Sequence, residues 1–88
     1  MKTLNTLKLE IYTPNGVLFD GEVTSVTLPG TKGFFTVLYN HGAIISSLTG
    51  GKIKYTIDDE KIFAIDVSGG FVEVKNNIVT VCLETIIK

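Results

Sequence analysis

The chain has little that could support chemistry. Its single cysteine, Cys82, cannot close an internal disulfide, which fits a reducing, cytoplasmic compartment. Its single histidine, His41, has no cysteine or second histidine with which to share a metal, and a zinc site of catalytic type takes about three protein ligands. Charge is low and balanced: eight lysines against nine acidic residues give a net charge of -1. The lysines are scattered and form no basic stripe, which argues against nucleic acid as a partner. No apolar run approaches the ~18–20 residues of a membrane span. At the N-terminus Lys2 is followed by Thr3, Leu4, Asn5 and Thr6, with no apolar block of the kind a signal peptide needs. No ten-residue segment carries helical spacing, and there is no internal repeat or low-complexity segment.

What is present is apolar and strand-like. Eighty-eight residues make one domain, spanning 1–88. A chain this short buries about 60–65% of its unfolded surface, so its core is limited. Yet 44% of the residues are apolar and the mean hydropathy is +0.34. Either strands are buried on both faces or a partner covers part of the surface. Leu7, Leu9 and Ile11 alternate with Lys8, Glu10 and Tyr12, the period of a half-buried strand. Thr13-Pro14-Asn15-Gly16 turns the chain. Val17 to Phe19 is a short apolar strand, and Asp20-Gly21 reads as a second turn or a bulge. Val23 and Val26, three apart, break the period and predict a bulge or twist near Ser25. Lys52 to Ile57 alternates, Asp58-Asp59 is a hairpin-turn candidate, and Glu60 to Ile65 returns. Asp66 to Gly70 bends the chain. Phe71 to Lys75, Asn76-Asn77 and Ile78 to Glu84 form the clearest hairpin, because asparagine tolerates the positive φ of a two-residue loop. Short strands at intervals of ~8–12 residues indicate an all-β sandwich or barrel.

A search for catalytic constellations returns none. A lone histidine in a Gly/Asn-rich loop is more often a hydrogen-bonding residue than a catalyst. Asp58, Asp59 and Glu60 read as a solvated hairpin tip, since a calcium loop is longer. Gly30-Thr31-Lys32-Gly33 lacks the Gly-Lys-Ser/Thr order and the following helix of a phosphate-binding loop. Ser68-Gly69-Gly70 lacks the strand-to-helix context of a nucleophile turn. Cys82, inside an apolar strand, is expected to be a buried small hydrophobe. The residues therefore predict no catalytic, metal or cofactor site, and attention moves to contact. Pro29 to Gly33 is the strongest breaker in the chain and suits a projecting loop. Phe34 and Phe35 follow it. Neighbours in a strand point to opposite faces, so one faces the core and the other faces out.

The order Leu9-Glu10-Ile11-Tyr12-Thr13-Pro14-Asn15-Gly16-Val17-Leu18-Phe19-Asp20-Gly21-Glu22-Val23, then Val26 to Gly33, resembles the N-terminal domain of the epsilon subunit of F-type ATP synthases. So do Asn40-His41-Gly42-Ala43, Val67 to Val74 and Asn77 to Val81. The match covers nearly the whole chain, in order. The resemblance implies a flattened ten-stranded antiparallel β-sandwich. It also implies a non-catalytic part of the rotor's central stalk, peripheral to the cytoplasmic face of the bacterial inner membrane and not inserted in it. Its partners would be the gamma subunit and the ring of c subunits, through which ion flow drives rotation and ATP synthesis. By position, Gly30, Thr31, Lys32, Gly33, Phe34 and Phe35 would touch the ring, and Tyr39, Asn40, His41 and Gly42 would lie against gamma.

The chain departs from the family pattern at several of these positions. Phe34 and Thr36 stand where many members have an acidic and then a small residue. Tyr39-Asn40 replaces Pro-Gly before the histidine, and Gly42-Ala43 replaces Ala-Pro after it. The contacts are therefore expected to be more apolar. The sequence ends at Ile87-Lys88, directly after its last strand, without the helical hairpin usual in the family. A natural short form, favoured by Met1, or a cut at the domain boundary would each give this end. Neither inhibition by hairpin insertion nor nucleotide binding is expected of this chain, and no cofactor is implied. The alternative reading from the residues alone is a free-standing β-sandwich that binds a sugar or peptide.

Overall fold

The computed structural model describes residues 5–84, which form nine strands and no helix. These are β1 (Leu7–Thr13), β2 (Gly16–Val23), β3 (Ser25–Gly30), β4 (Gly33–Val37), β5 (Ile44–Leu48), β6 (Gly51–Ile57), β7 (Lys61–Val67), β8 (Gly70–Lys75) and β9 (Ile78–Leu83). The all-β expectation holds. The expectation of ten antiparallel strands does not: nine strands lie among the described residues, and β1 pairs with β9 in parallel, Lys8 opposite Ile78 through Tyr12 opposite Cys82. The physical reason is connectivity. β1 gives one edge to its hairpin partner β2, and its other edge receives the last strand, which arrives from the β8–β9 hairpin running the same way. Parallel neighbours need a long crossover, and here seven strands supply it.

The strand order is β2-β1-β9-β8-β5-β3-β6-β7, with β4 on β3. This mixed sheet curls so that β2-β1-β9-β8-β5 faces β4-β3-β6-β7. β3 holds the two halves together. Its first residues, Ser25 to Thr27, pair with β6, and its last, Gly30, pairs with Leu48 of β5. Two further bonds reinforce that corner: Thr31 N–H donates to the Ser47 carbonyl at 3.2 Å and Thr49 N–H to the Pro29 carbonyl at 2.8 Å.

Period-two alternation puts one side of each strand into the core. Leu7, Leu9, Ile11, Val72, Val74, Val79, Val81 and Leu83 come from one half, and Val26, Leu28, Val37, Ile53, Tyr55 and Val67 from the other. Each such aliphatic residue contributes on the order of 1.5–3 kcal/mol on burial. Where the halves open, aromatic rings bridge them. Phe19 of β2 lies 4.5 Å from Tyr55 of β6, and Tyr55 lies 5.4 Å from Phe63 of β7, centroid to centroid. Burial of the Tyr55 phenol pushes its pKa above the usual 10.0.

The turns follow from local chemistry. Asn76 and Asn77 take φ of 53° and 62° between Lys75 and Ile78, the two-residue turn expected from the sequence. Asp58 and Asp59 do the same at 57° and 58°, and Glu60 N–H closes the turn on the Ile57 carbonyl at 3.1 Å. In the first hairpin, Thr13 Oγ1 accepts Asn15 N–H at 3.1 Å and donates to the Gly16 carbonyl at 3.0 Å. Gly16, not Asn15, takes the positive φ.

Four local expectations are corrected. The β1–β2 bulge lies between Ile11 and Tyr12, opposite Leu18, not near Ser25. At Thr24 the chain instead passes from one half to the other, and the buried Thr24 hydroxyl donates to the Thr56 carbonyl at 3.2 Å. Asp20-Gly21 is not a turn, because β2 runs through it and the Phe19 ring packs over Gly21. Pro29 and Gly30 belong to β3 and are buried. Cys82 is exposed: the inward positions of β9 are Val79, Val81 and Leu83, so alternation sends Ile78, Thr80 and Cys82 outward.

Gly70 sits where a side chain cannot. Its φ is 151°, and a Cβ there would stand 2.2 Å from the Cys82 carbonyl oxygen. Gly70→Ala is expected to destabilise the fold by about 3 kcal/mol or more in urea unfolding. Gly42→Ala, with nothing within 4 Å of the added methyl, is expected to shift stability by under about 0.5 kcal/mol. Tyr55 gives a pH test. Its folded pKa lies above the unfolded value, so its contribution is full below pH ~10 and is lost as pH rises through the folded pKa. Unfolding titrations from pH 8 upward should show that loss, and Tyr55→Phe should remove the share due to Tyr55 while leaving that of Tyr12 and Lys8, whose pKa values are also raised.

Candidate functional site

Four turns lie at one end of the sandwich: Thr13 to Gly16, Gly30 to Gly33, Leu48 to Gly51 and Val67 to Gly70. At the other end lie the Tyr39 to Gly42 loop, the Asp58 to Glu60 turn and the Asn76-Asn77 turn. The two groups of residues singled out in the sequence therefore fall at opposite ends of β4, about 17 Å apart for five strand residues.

At the first end, Thr31 and Lys32 form the two-residue tip between the paired Gly30 and Gly33. Gly33 takes φ of 128°. Thr31 Oγ1 lies 3.1 Å from Ser47 Oγ and ties the tip to β5. Phe35 packs against the core, and Phe34 is 68% exposed, the division that adjacent strand positions require. The hairpin and β5 bound an open hollow lined by Gly30 to Phe35 and by Ile44 to Ser47.

At the second end, Asn40 adopts φ of 64° and is clamped to the β8–β9 turn. Asn40 N–H donates to Asn77 Oδ1 at 2.6 Å, and Asn77 Nδ2 donates to Asn40 Oδ1 at 3.2 Å. His41 N–H donates to the Leu38 carbonyl at 3.1 Å, and His41 Nδ1 lies 2.7 Å from the Gly42 carbonyl. The histidine is a loop-fixing residue, half-buried, with Leu38 and Tyr39 exposed before it.

A third surface escaped the sequence reading. On the outer face of the first half, register aligns Tyr12, Cys82, Phe71 and Ser47 in one cross-strand row. The next row carries Glu10, Thr80, Glu73 and Ile45, and the third Lys8, Ile78 and Lys75. Phe71 is 59% exposed and Ile45 78%. The signal was parity: Phe71 shares its side of the strand with Glu73 and Lys75. Glu10 and Asp20 surround Lys8, whose pKa is raised chiefly by its hydrogen bond to Asp20, 3.3 Å away. Glu10 likewise holds the Tyr12 phenol above its usual range. Among the described residues no three His, Cys, Asp or Glu side chains converge as a metal site would need.

Residues 6–88 match the family model of the ATP synthase delta/epsilon chain beta-sandwich domain. The ATP synthase epsilon chain of Sulfurimonas denitrificans is 43% identical over 81 residues, which cover 92% of this chain and 62% of that one. The epsilon chain of Chlorobium limicola is 39% identical over 70 residues, 80% of each chain. Against the epsilon chains of Sulfurimonas and Nitratiruptor, this chain spans 62% and 63% of their length. A chain in the Euglena gracilis mitochondrial ATP synthase OSCP/F1/c-ring assembly superposes with a TM-score of 0.88 at 18% identity, over 99% of this chain and 56% of that one. One in the Tetrahymena thermophila mitochondrial ATP synthase central stalk/c-ring superposes at 0.77 and 16% identity, over 99% and 69%. At those identities the likeness is one of fold.

The asparagine clamp yields a direct test. Asn77→Gly keeps the left-handed backbone but removes both side-chain bonds. It is expected to cost about 1–2 kcal/mol and to speed hydrogen exchange at the Asn40 amide more than at the β1–β9 ladder.

Proposed function

The chain belongs to the ATP synthase delta/epsilon beta-sandwich family, and from that we propose that it is a non-catalytic component of the central stalk, linking a gamma subunit to the membrane ring of c subunits. In this role it sits peripherally at the cytoplasmic face of the bacterial inner membrane and transmits ion-driven rotation toward ATP synthesis. The observation that carries the reading is the placement of a hairpin tip and a loop, both with exposed residues, toward opposite ends of one strand of a stiff sheet. Gly30 to Phe35 stand at one end of β4 and Tyr39 to Gly42 at the other. A rotor coupling element needs two contact surfaces held at a fixed spacing, and hydrogen-bonded strands fix it. The first group would meet the ring. The second, held by the asparagine clamp and by His41, would lie against gamma.

This assignment is tested by mixing. The purified chain and the gamma subunit from the same genome should co-elute as a one-to-one complex in size exclusion with light scattering. His41→Ala should weaken that complex, and Phe34→Ala should leave it intact. Well-folded partners that stay apart at micromolar concentration would reduce the family relationship to one of fold. A free-standing binding module would then be the better account.

A further inference from the structure

We propose that the ring-facing contact is anchored by Phe34, and that the segment docking on it is apolar at its centre and carries a carboxylate at its flank to meet Lys54 and Lys32. This rests on the stalk reading above and adds the chemistry of the partner.

Phe34 is a ridge between two hollows. On one side is the hollow between the β3–β4 hairpin and β5, about 540 Å³. On the other is a hollow of about 420 Å³ lined by Thr27, Phe34, Gly51, Lys52 and Lys54. The ridge is supported from below. Phe34 is paired with the buried Pro29, and Gly51 lies under the edge of its ring. A Cβ on Gly51 would stand 3.2 Å from Pro29 Cβ and 3.9 Å from Phe34 Cζ. An exposed aromatic fixed by its own supports meets a partner with little ordering cost, the condition under which aromatic anchors dominate an interface.

The unpaired charge beside the ridge is positive. Lys32, Lys52 and Lys54 are all exposed beside it. Lys52 is paired with Asp66 at 2.6 Å. Lys32 and Lys54 make no ion pair among the described residues. No carboxylate lines either hollow. A basic segment laid across Phe34 would bring like charges together, and an acidic one would be complementary. A loop of polypeptide can enter the hollows on both sides of Phe34, which a flat surface would only touch at the ridge, and on the stalk reading that loop belongs to the ring.

The test uses the full chain and its complex with gamma, with the purified c ring from the same genome held in nanodiscs. Binding is followed by biolayer interferometry at about 50 and about 300 mM salt. Phe34→Ala and Lys54→Glu should each weaken ring binding by about tenfold or more at low salt. Lys54→Arg should bind as the parent does, and so should Lys61→Glu, at the far end of β7. The higher salt should weaken the parent and close the gap to Lys54→Glu. If Lys54→Glu and Lys32→Glu bind the ring as well as the parent or better, the docking segment is not acidic. The proposal then falls while the stalk reading stands. If the parent joins gamma but not the ring, the ring contact falls. If it joins neither, both readings fall.

Discussion

The fold depends on the corner where Gly30 of β3 pairs with Leu48 of β5. β3 is the only strand among those described that hydrogen-bonds to three others, β4, β5 and β6. Through it the five-stranded half and the four-stranded half become one curled sheet. The corner requires glycine at position 30. A Cβ on Gly30 would lie 2.9 Å from the Gly33 carbonyl and 3.0 Å from the Phe35 ring. Both close contacts lie within the β3–β4 hairpin, so glycine at position 30 lets that hairpin close beside the corner. The exposure of Phe34 follows separately from strand alternation, which turns Phe35 inward.

Much of this was legible in the amino-acid order because period-two alternation and turn residues act locally. The Asn76-Asn77 turn, the Asp58-Asp59 turn and the opposite fates of Phe34 and Phe35 follow from neighbours in sequence. What was not legible depends on pairing across the chain. Cys82 sits in a run, Ile78 to Leu83, that is apolar on both parities but for Thr80. Only the inward register of β9 shows which parity is buried. The bulge opposite Leu18 depends on how β2 lies on β1, and the irregular spacing of Val23 and Val26 marks a change of layer instead. For the site, the two candidate loops could be picked out but not their separation, nor the meeting of the hairpin with Lys52 and Lys54, some twenty residues later in the chain.

High apolar content in a short chain allowed two explanations, two-sided burial or a partner. Both halves have one inward and one outward face, so two-sided burial is not the explanation. The excess sits on the surface as Ile45, Ile62, Phe34 and Phe71, with exposures of 78%, 70%, 68% and 59%. These residues are divided among the hairpin ridge, the outer face of the first half and the edge strand β7. A surface with several separated apolar areas suits a component enclosed by neighbours on more than one side.

The parallel β1–β9 ladder has a mechanical consequence. β1 starts at one end of the sandwich, and the parallel β9 finishes at the opposite end. A force that draws Leu7 and Leu83 apart would slide these neighbours past each other along their length. All their hydrogen bonds would then bear load at once, rather than opening one by one as in a hairpin peeled from its ends. A domain laced this way resists stretching along its strands more than its modest core suggests.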